Sequence, residues 1–159
     1  MLYLFDIDGT VISAYMETRN KRIENWKVLP GRREKLAELV AGGHTVALIT
    51  NQGAVAFGYV TEGAVKAKLS QVRHELGIAS CRCYVCFADV RATLPQYADP
   101  EQAARRKPSG AMLLEAMRDA GVGAADTLMV GDRPEDAQAA ANAGVAFQWA
   151  NDFFGDAEG

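Results

Sequence analysis

Leu2-Tyr3-Leu4-Phe5-Asp6-Ile7-Asp8-Gly9-Thr10 is the stretch from which the fold is read. An apolar run without polar alternation ends at two carboxylates and a glycine. A short run of that kind suits a strand buried on both faces. Similar runs follow at His44 to Ile49, Cys83 to Ala88, Thr127 to Val130 and Val145 to Trp149. Helical patterns separate them. Arg32 to Ala41 carries Leu36, Leu39 and Val40 and stops at Gly42-Gly43. Glu62 to Leu76 places Val65, Leu69, Val72 and Leu76 at three- and four-residue spacings. Ser109 is a candidate N-cap for a helix from Gly110 to Ala120, and Pro134 fits the first turn of a helix to Ala143. Strands alternating with helices predict an α/β fold, a parallel sheet with helices on both faces. Right-handed crossovers bring the strand ends to one edge, where ligands bind in such sheets. Two stretches fall outside the alternation. Val11 to Leu29 is rich in charge and aromatics, and Asp89 to Arg106 holds Pro95 and Pro100 and reads as a loop. The acidic, glycine-containing end after Phe154 is expected to fray.

The 159 residues carry a net charge of -3, with 49% hydrophobic and 23% charged residues. These values fit one globular domain over residues 1–159. A pI of about 5.4 supplies no bulk attraction for nucleic acid. No apolar run approaches the ~20 residues of a membrane helix, and the first residues lack the basic region of a signal peptide. A cytoplasmic protein with no membrane partner is expected. Cys81, Cys83 and Cys86 are crowded and odd in number, which suits reduced thiols better than a disulfide framework.

Asp6 and Asp8 stand two residues apart where the first strand ends, with Gly9 to permit a sharp turn. Like charges so close raise the proton affinity of at least one partner unless a cation intervenes. The pattern suits a nucleophile beside a general acid, with a divalent ion restraining the repulsion. An EF-hand loop also begins Asp-x-Asp, but its glycine belongs at position six, where this chain has Val11. Other candidates follow the later strands. Thr50 and Asn51 offer a hydroxyl and an amide to phosphate oxygens. Lys107, before Pro108 at a helix mouth, can neutralise a phosphate or the nucleophile. Asp132 and Asp136 offer hard oxygens, and their bland reading is helix capping. Gly53 to Gly58 has P-loop glycine spacing, but Tyr59-Val60 replaces the required Lys-Ser/Thr. His44 and His74 read as a turn residue and a solvated helix residue.

Together these residues resemble the haloacid dehalogenase superfamily of phosphohydrolases. Asp6-Ile7-Asp8-Gly9-Thr10 is similar to its first motif, Thr50-Asn51 to the second, Lys107-Pro108 to the third and Gly131-Asp132-Arg133-x-x-Asp136 to the fourth. Ile49 to Gly53 and Arg106 to Gly110 resemble one subclass, the histidinol-phosphate, heptose bisphosphate and polynucleotide 3′-phosphatases. The resemblance implies a Rossmann-like three-layer parallel sheet with a minimal or absent cap domain. It implies a phosphatase with Asp6 as nucleophile, passing through an aspartyl-phosphate, and Asp8 as general acid and base. Thr50, Asn51 and Lys107 would bind the phosphoryl group. Mg²⁺ would be held by Asp6, the main-chain carbonyl of Asp8 and Asp132, with Thr10 and Asp136 in support.

Metabolite phosphatases of this subclass often carry a zinc loop. Cys86 matches its first ligand, but Ala88, Ala103 and Arg105 occupy the other positions, so zinc is not expected there; a different site on Cys81, Cys83 and Cys86, with His74 or Asp89 as fourth ligand, is the alternative. A small phosphorylated metabolite is the expected substrate. The alternative is a nucleic-acid end, because Arg19, Lys21, Arg22 and Lys27 lie near Asp6 with Tyr15 and Trp26 interleaved. A non-catalytic phosphate-binding protein is a third reading, disfavoured by the joint presence of Asp6, Asp8, Lys107 and Asp132.

Overall fold

The computed structural model describes residues 1–14 and 23–156. Its centre is a five-stranded parallel sheet in the order β3-β2-β1-β4-β5. The strands are β1 (Leu2–Phe5), β2 (Thr45–Asn51), β3 (Arg82–Cys86), β4 (Thr127–Gly131) and β5 (Ala146–Trp149). The helices are α1 (Arg32–Ala41), α2 (Glu62–Glu75), α3 (Pro100–Ala103), α4 (Ala111–Ala120), α5 (Pro134–Ala143) and α6 (Ala150–Phe154). β1 lies in the middle, with Phe5 level with Leu48 of β2 and Val130 of β4.

The period of two along each strand sorts side chains between two cores. Phe5, Val46, Leu48 and Val130 face one layer, filled by Leu36 and Leu39 of α1, Val65, Leu69 and Val72 of α2, and Ala150 of α6. Leu2, Leu4, Ala47, Ile49 and Met129 face the other, filled by Met112, Leu113 and Ala116 of α4 and by Ala139 and Ala140 of α5. The architecture is thus the expected three-layer α/β sandwich. Thr61 caps α2 by accepting the Ala64 N–H at 3.1 Å, and Ser109 Oγ accepts the Ala111 N–H at 3.2 Å just ahead of α4.

Several details depart from the sequence reading. Asp89 to Arg106 is not a plain loop, since it contains a 3₁₀ turn at Pro95–Tyr97 and the short α3. The residues after β5 form α6, whose Phe153 and Phe154 stack against Phe5. Of the residues past Phe154, Asp156 is held in place, forming a bidentate pair with the buried Arg32 guanidinium, 2.9 Å from Nη2. Arg32 also lies over the Phe154 ring and donates through Nε to the Thr10 carbonyl at 2.8 Å. One side chain thereby ties α1 and the C-terminal segment to the turn after β1. Residues 11–13 pair with 27–29, through Ser13 N–H to Lys27 O at 2.9 Å and Leu29 N–H to Val11 O at 3.0 Å. Tyr15, Arg19, Lys21 and Arg22 lie outside the described residues. Trp26 packs against the core instead of standing clear beside Lys27. No helix among the described residues is long and apolar enough to cross a membrane.

Candidate active site

The carboxyl ends of β1, β2 and β4 converge on a cavity of about 500 Å³ that contains Asp6, Asp8, Thr50, Asn51, Lys107 and Asp136 in its walls. Asp6 follows β1 directly and donates its N–H to Val130 O at 3.0 Å, which fixes it between the two neighbouring strands. The chain then turns sharply, with Gly9 N–H donating to Ile12 O at 2.8 Å and Thr10 N–H to Ile7 O at 3.1 Å. Gly9 has φ 85°, and a Cβ there would overlap the Asp132 carboxylate. Both facts demand glycine. Gly131 is excluded from a side chain in the same way, by Asp136. The two glycines let the first and fourth motifs close on each other.

Lys107 is the hub of the site. Its buried ammonium lies 2.7 Å from Asp6 Oδ1, 2.6 Å from Asp136 Oδ1 and 3.3 Å from the Ile49 carbonyl. Asp136 Oδ2 accepts the N–H groups of Asp132 and Arg133 at 3.2 Å each, so this residue both caps α5 and holds the lysine. Thr10 Oγ1 lies 3.3 Å from both Asp6 Oδ2 and Asp132 Oδ1. Both supporting residues read from the sequence therefore reach the cluster. Asn51 reaches it too, with its side chain engaged on the main chain of Lys107. Its Nδ2 donates to Lys107 O and its Oδ1 accepts Lys107 N–H, at 3.0 Å each. Its contribution in this structure is to hold the lysine in place. Thr50 Oγ1 lines the cavity and accepts from Gln52 Nε2 at 2.8 Å.

Burial pushes the Asp6 carboxyl up to about 8; Lys107 opposes that shift and Asp136 adds to it. Burial works against the charge on Lys107, but Asp6 and Asp136 outweigh it and raise its proton affinity. Burial, more than the neighbouring carboxylate, is thus what works against the Asp6 charge. Oxygens of Asp6, Asp132 and Asp136 lie within 4.8 Å of one another, a set of hard donors able to hold a metal ion. Asp136 is committed to Lys107 and to two N–H groups, which leaves Asp6 Oδ2 and Asp132 as the available pair. The donor set and its excess negative charge fit a small divalent cation. The Asp8 carboxylate points elsewhere, towards Lys68 Nζ at 3.1 Å and Gln52 Nε2 at 3.0 Å. Any part it plays in metal binding would fall to its main-chain carbonyl.

Sequence reasoning missed Lys68, Gln52, Asp89 and Arg106. Arg106 lines the cavity, and its Nη1 is buried without a hydrogen-bond partner above Gly53. The buried Asp89 holds Arg91 in a bidentate pair at 3.0 and 3.1 Å and lies 3.8 Å from Arg106 Nε. Hydrogen bonds from Arg91 hold its carboxyl down to about 2. Gln52 and Arg106 lie inside the stretches Ile49 to Gly53 and Arg106 to Gly110, which was their signal; Asp89 was considered only as a zinc ligand, and nothing local marked Lys68.

The cysteines are arranged poorly for one ion. Cys83 packs into one core and Cys86 into the other. Burial pushes the Cys83 thiol up to about 11, away from the thiolate that zinc requires. Arg105, at an expected ligand position, instead pairs with Glu115 at 3.0 Å and donates to Val85 O at 3.3 Å. Elemental analysis of purified protein should find well under one zinc per chain, and Cys81→Ser should keep near wild-type activity. One tightly held zinc per chain would overturn this.

Comparison with known proteins agrees with the geometry. A family model described as haloacid dehalogenase-like hydrolase matches residues 14–144. A D-glycero-beta-D-manno-heptose-1,7-bisphosphate 7-phosphatase of Rhodopseudomonas palustris is 31% identical over 145 residues, covering 88% of this chain and 77% of the relative. The enzyme of the same name from Haemophilus ducreyi is 28% identical over 148 residues, covering 88% and 76%. The crystal structure of D,D-heptose 1,7-bisphosphate phosphatase from Bordetella bronchiseptica, complexed with magnesium and phosphate, superposes with a TM-score of 0.74 at 28% identity. That match covers 92% of this chain and 78% of the other.

Proposed function

The chain belongs to the haloacid dehalogenase-like hydrolases and is a phosphatase, and from that premise we propose that it hydrolyses a small phosphorylated sugar through an aspartyl-phosphate on Asp6. The observation that carries the proposal is the buried Asp6–Lys107 pair, 2.7 Å apart, set in the cluster with Asp132 and Asp136 at the cavity floor.

In this mechanism the Asp6 carboxylate attacks phosphorus in line with the leaving oxygen. Lys107 holds Asp6 in place and, with Thr50, neutralises the transferring oxygens. Asp8 gives its proton to the leaving oxygen, then takes one from the water that attacks phospho-Asp6. Asp6, Asp132 and the Asp8 carbonyl would hold Mg²⁺. When bound, the ion offsets the crowded carboxylates and draws charge from the phosphoryl oxygens.

Five cationic side chains line the cavity among the described residues, of which Lys68 is paired with Asp8 and Arg91 with Asp89. Lys68, Arg91, Arg106 and Arg133 all line it in addition to Lys107. The unpartnered Arg106 Nη1 supports a second anionic group on the substrate. The names of the relatives point the same way, towards a heptose bisphosphate. A nucleic-acid end has less support, because the half-buried Trp26 packs against the core and the named relatives act on a sugar bisphosphate.

Phosphate release from sugar bisphosphates, sugar monophosphates and a 3′-phosphorylated oligonucleotide is the test. A heptose or related sugar bisphosphate should give the highest kcat/KM, by roughly tenfold or more over its monophosphate, because one charged contact contributes about 1.5–3 kcal/mol. Preference for the oligonucleotide, with KM climbing steeply with salt, would replace this reading with the end-processing one.

A further inference from the structure

We infer that Lys68 is the positioning residue of Asp8 and sets how well the protein expels poor leaving groups. This rests on the proposed acid–base role of Asp8. The two carboxylates assigned to catalysis each have a lysine of their own. Lys107 is 2.7 Å from Asp6 Oδ1, and Lys68 is 3.1 Å from Asp8 Oδ1. The second lysine stands in an unusual place. It lies on the buried face of α2 between Val65 and Leu69, where helical periodicity calls for an apolar residue, and is 6% exposed. Burying an ammonium there is costly unless it is paired, and the cavity is where its pair lies.

Gln52 completes the arrangement. Its Nε2 donates to Asp8 Oδ2 at 3.0 Å. Each oxygen of Asp8 therefore has one fixed donor among the described residues. A carboxylate oxygen has two lone-pair sites, so a site remains for the proton that passes to substrate, and its direction is set by the two anchors. Removing Lys68 leaves Oδ1 without the anchor and lets the carboxyl turn about its side-chain bonds.

The chemistry makes this visible. In the first half-reaction the bond from phosphorus to the leaving oxygen breaks as the Asp6 oxygen–phosphorus bond forms. The proton of Asp8 goes to the leaving oxygen, and Asp8 is left as a carboxylate facing the Lys68 ammonium. A sugar alkoxide is a poor leaving group and needs that proton. A 4-nitrophenolate leaves readily without it. A residue that orients Asp8 must matter more for the first than for the second, whereas a residue that only supports the fold affects both alike.

The experiment measures kcat/KM of wild type, Lys68→Met, Lys68→Gln and Asp8→Asn on a sugar phosphate and on 4-nitrophenyl phosphate. This parameter covers steps only through departure of the leaving group, so later hydrolysis of phospho-Asp6 does not enter. The ratio of the two values in one sample is also independent of how much of it is folded. Lys68→Met should lower the sugar-phosphate value at least about tenfold more than the aryl value, a share of the roughly 10²–10⁴ that a general acid supplies. Lys68→Gln, which keeps a donor, should shift the ratio in the same direction by less. Equal losses on both substrates, or none, while Asp8→Asn is selective, would overturn the inference and leave the role of Asp8 standing. An Asp8→Asn variant without selectivity would remove that role and the inference with it.

Discussion

Asp6→Asn should release no phosphate above background, a loss of at least about 10⁴-fold. The amide has the shape of the carboxylate, so the turn from Asp6 to Thr10 should survive, and Lys107 keeps its pair with Asp136 at 2.6 Å. What is lost is the nucleophile, for an amide oxygen does not form the acyl-phosphate bond. Two measurements separate this from misfolding. The variant should melt near the wild-type temperature, because burial had already burdened the Asp6 carboxylate. Acid quenching with labelled substrate should trap phosphate on the wild-type protein and none on the variant. Substantial turnover by Asp6→Asn would sink the mechanism.

Chelation should have an effect of similar size. EDTA is expected to bring phosphate release to background and Mg²⁺ to restore it. The cause is the crowding of Asp6, Asp132 and Asp136, of which Lys107 pairs with Asp6 and Asp136. Without a cation Asp6 favours a proton, as its upward shift to about 8 under burial indicates, and a protonated carboxyl is a poor nucleophile. Calcium should inhibit, since it accepts looser coordination than in-line transfer allows. Full activity in a rigorously stripped sample would contradict the assignment of Asp6 and Asp132.

The parts of this site legible in the sequence are those set by short range. Asp6, Asp8 and Gly9 lie together in the chain, and the unbroken apolar run before them identified a strand buried on both faces. Thr50 and Asp132 could be placed because parallel topology sends the ends of all such strands to one edge, and Lys107 by its position before Pro108 at a helix mouth. Lys68 was not legible because helical periodicity marks its position as core, and its partner Asp8 arrives from the far end of β1. Arg32 looked like an ordinary first-turn residue, yet it is buried against Thr10 O and Asp156. Asn51 was read as a ligand for phosphate, and its grip on the Lys107 main chain depends on a loop more than fifty residues away. Asp89 to Arg106 was read as irregular because its prolines were taken as breakers; in α3 Pro100 occupies the first helical turn, where proline is tolerated.

The strand order has a consequence for how the chain reaches this state. β1 is the central strand and leads directly into Asp6, the proposed nucleophile, but one of its partners is β4, roughly 120 residues later. On a ribosome adding about 5–20 residues per second, the Leu2–Phe5 edge waits roughly 6–24 s for β4 to be made. Through that interval a run of apolar backbone has one side unpaired, the situation in which strands pair with the wrong neighbour. Nascent chains halted before Thr127 should therefore be sticky and open to proteases. Protection and the closed acidic cluster should arrive together once β4 docks.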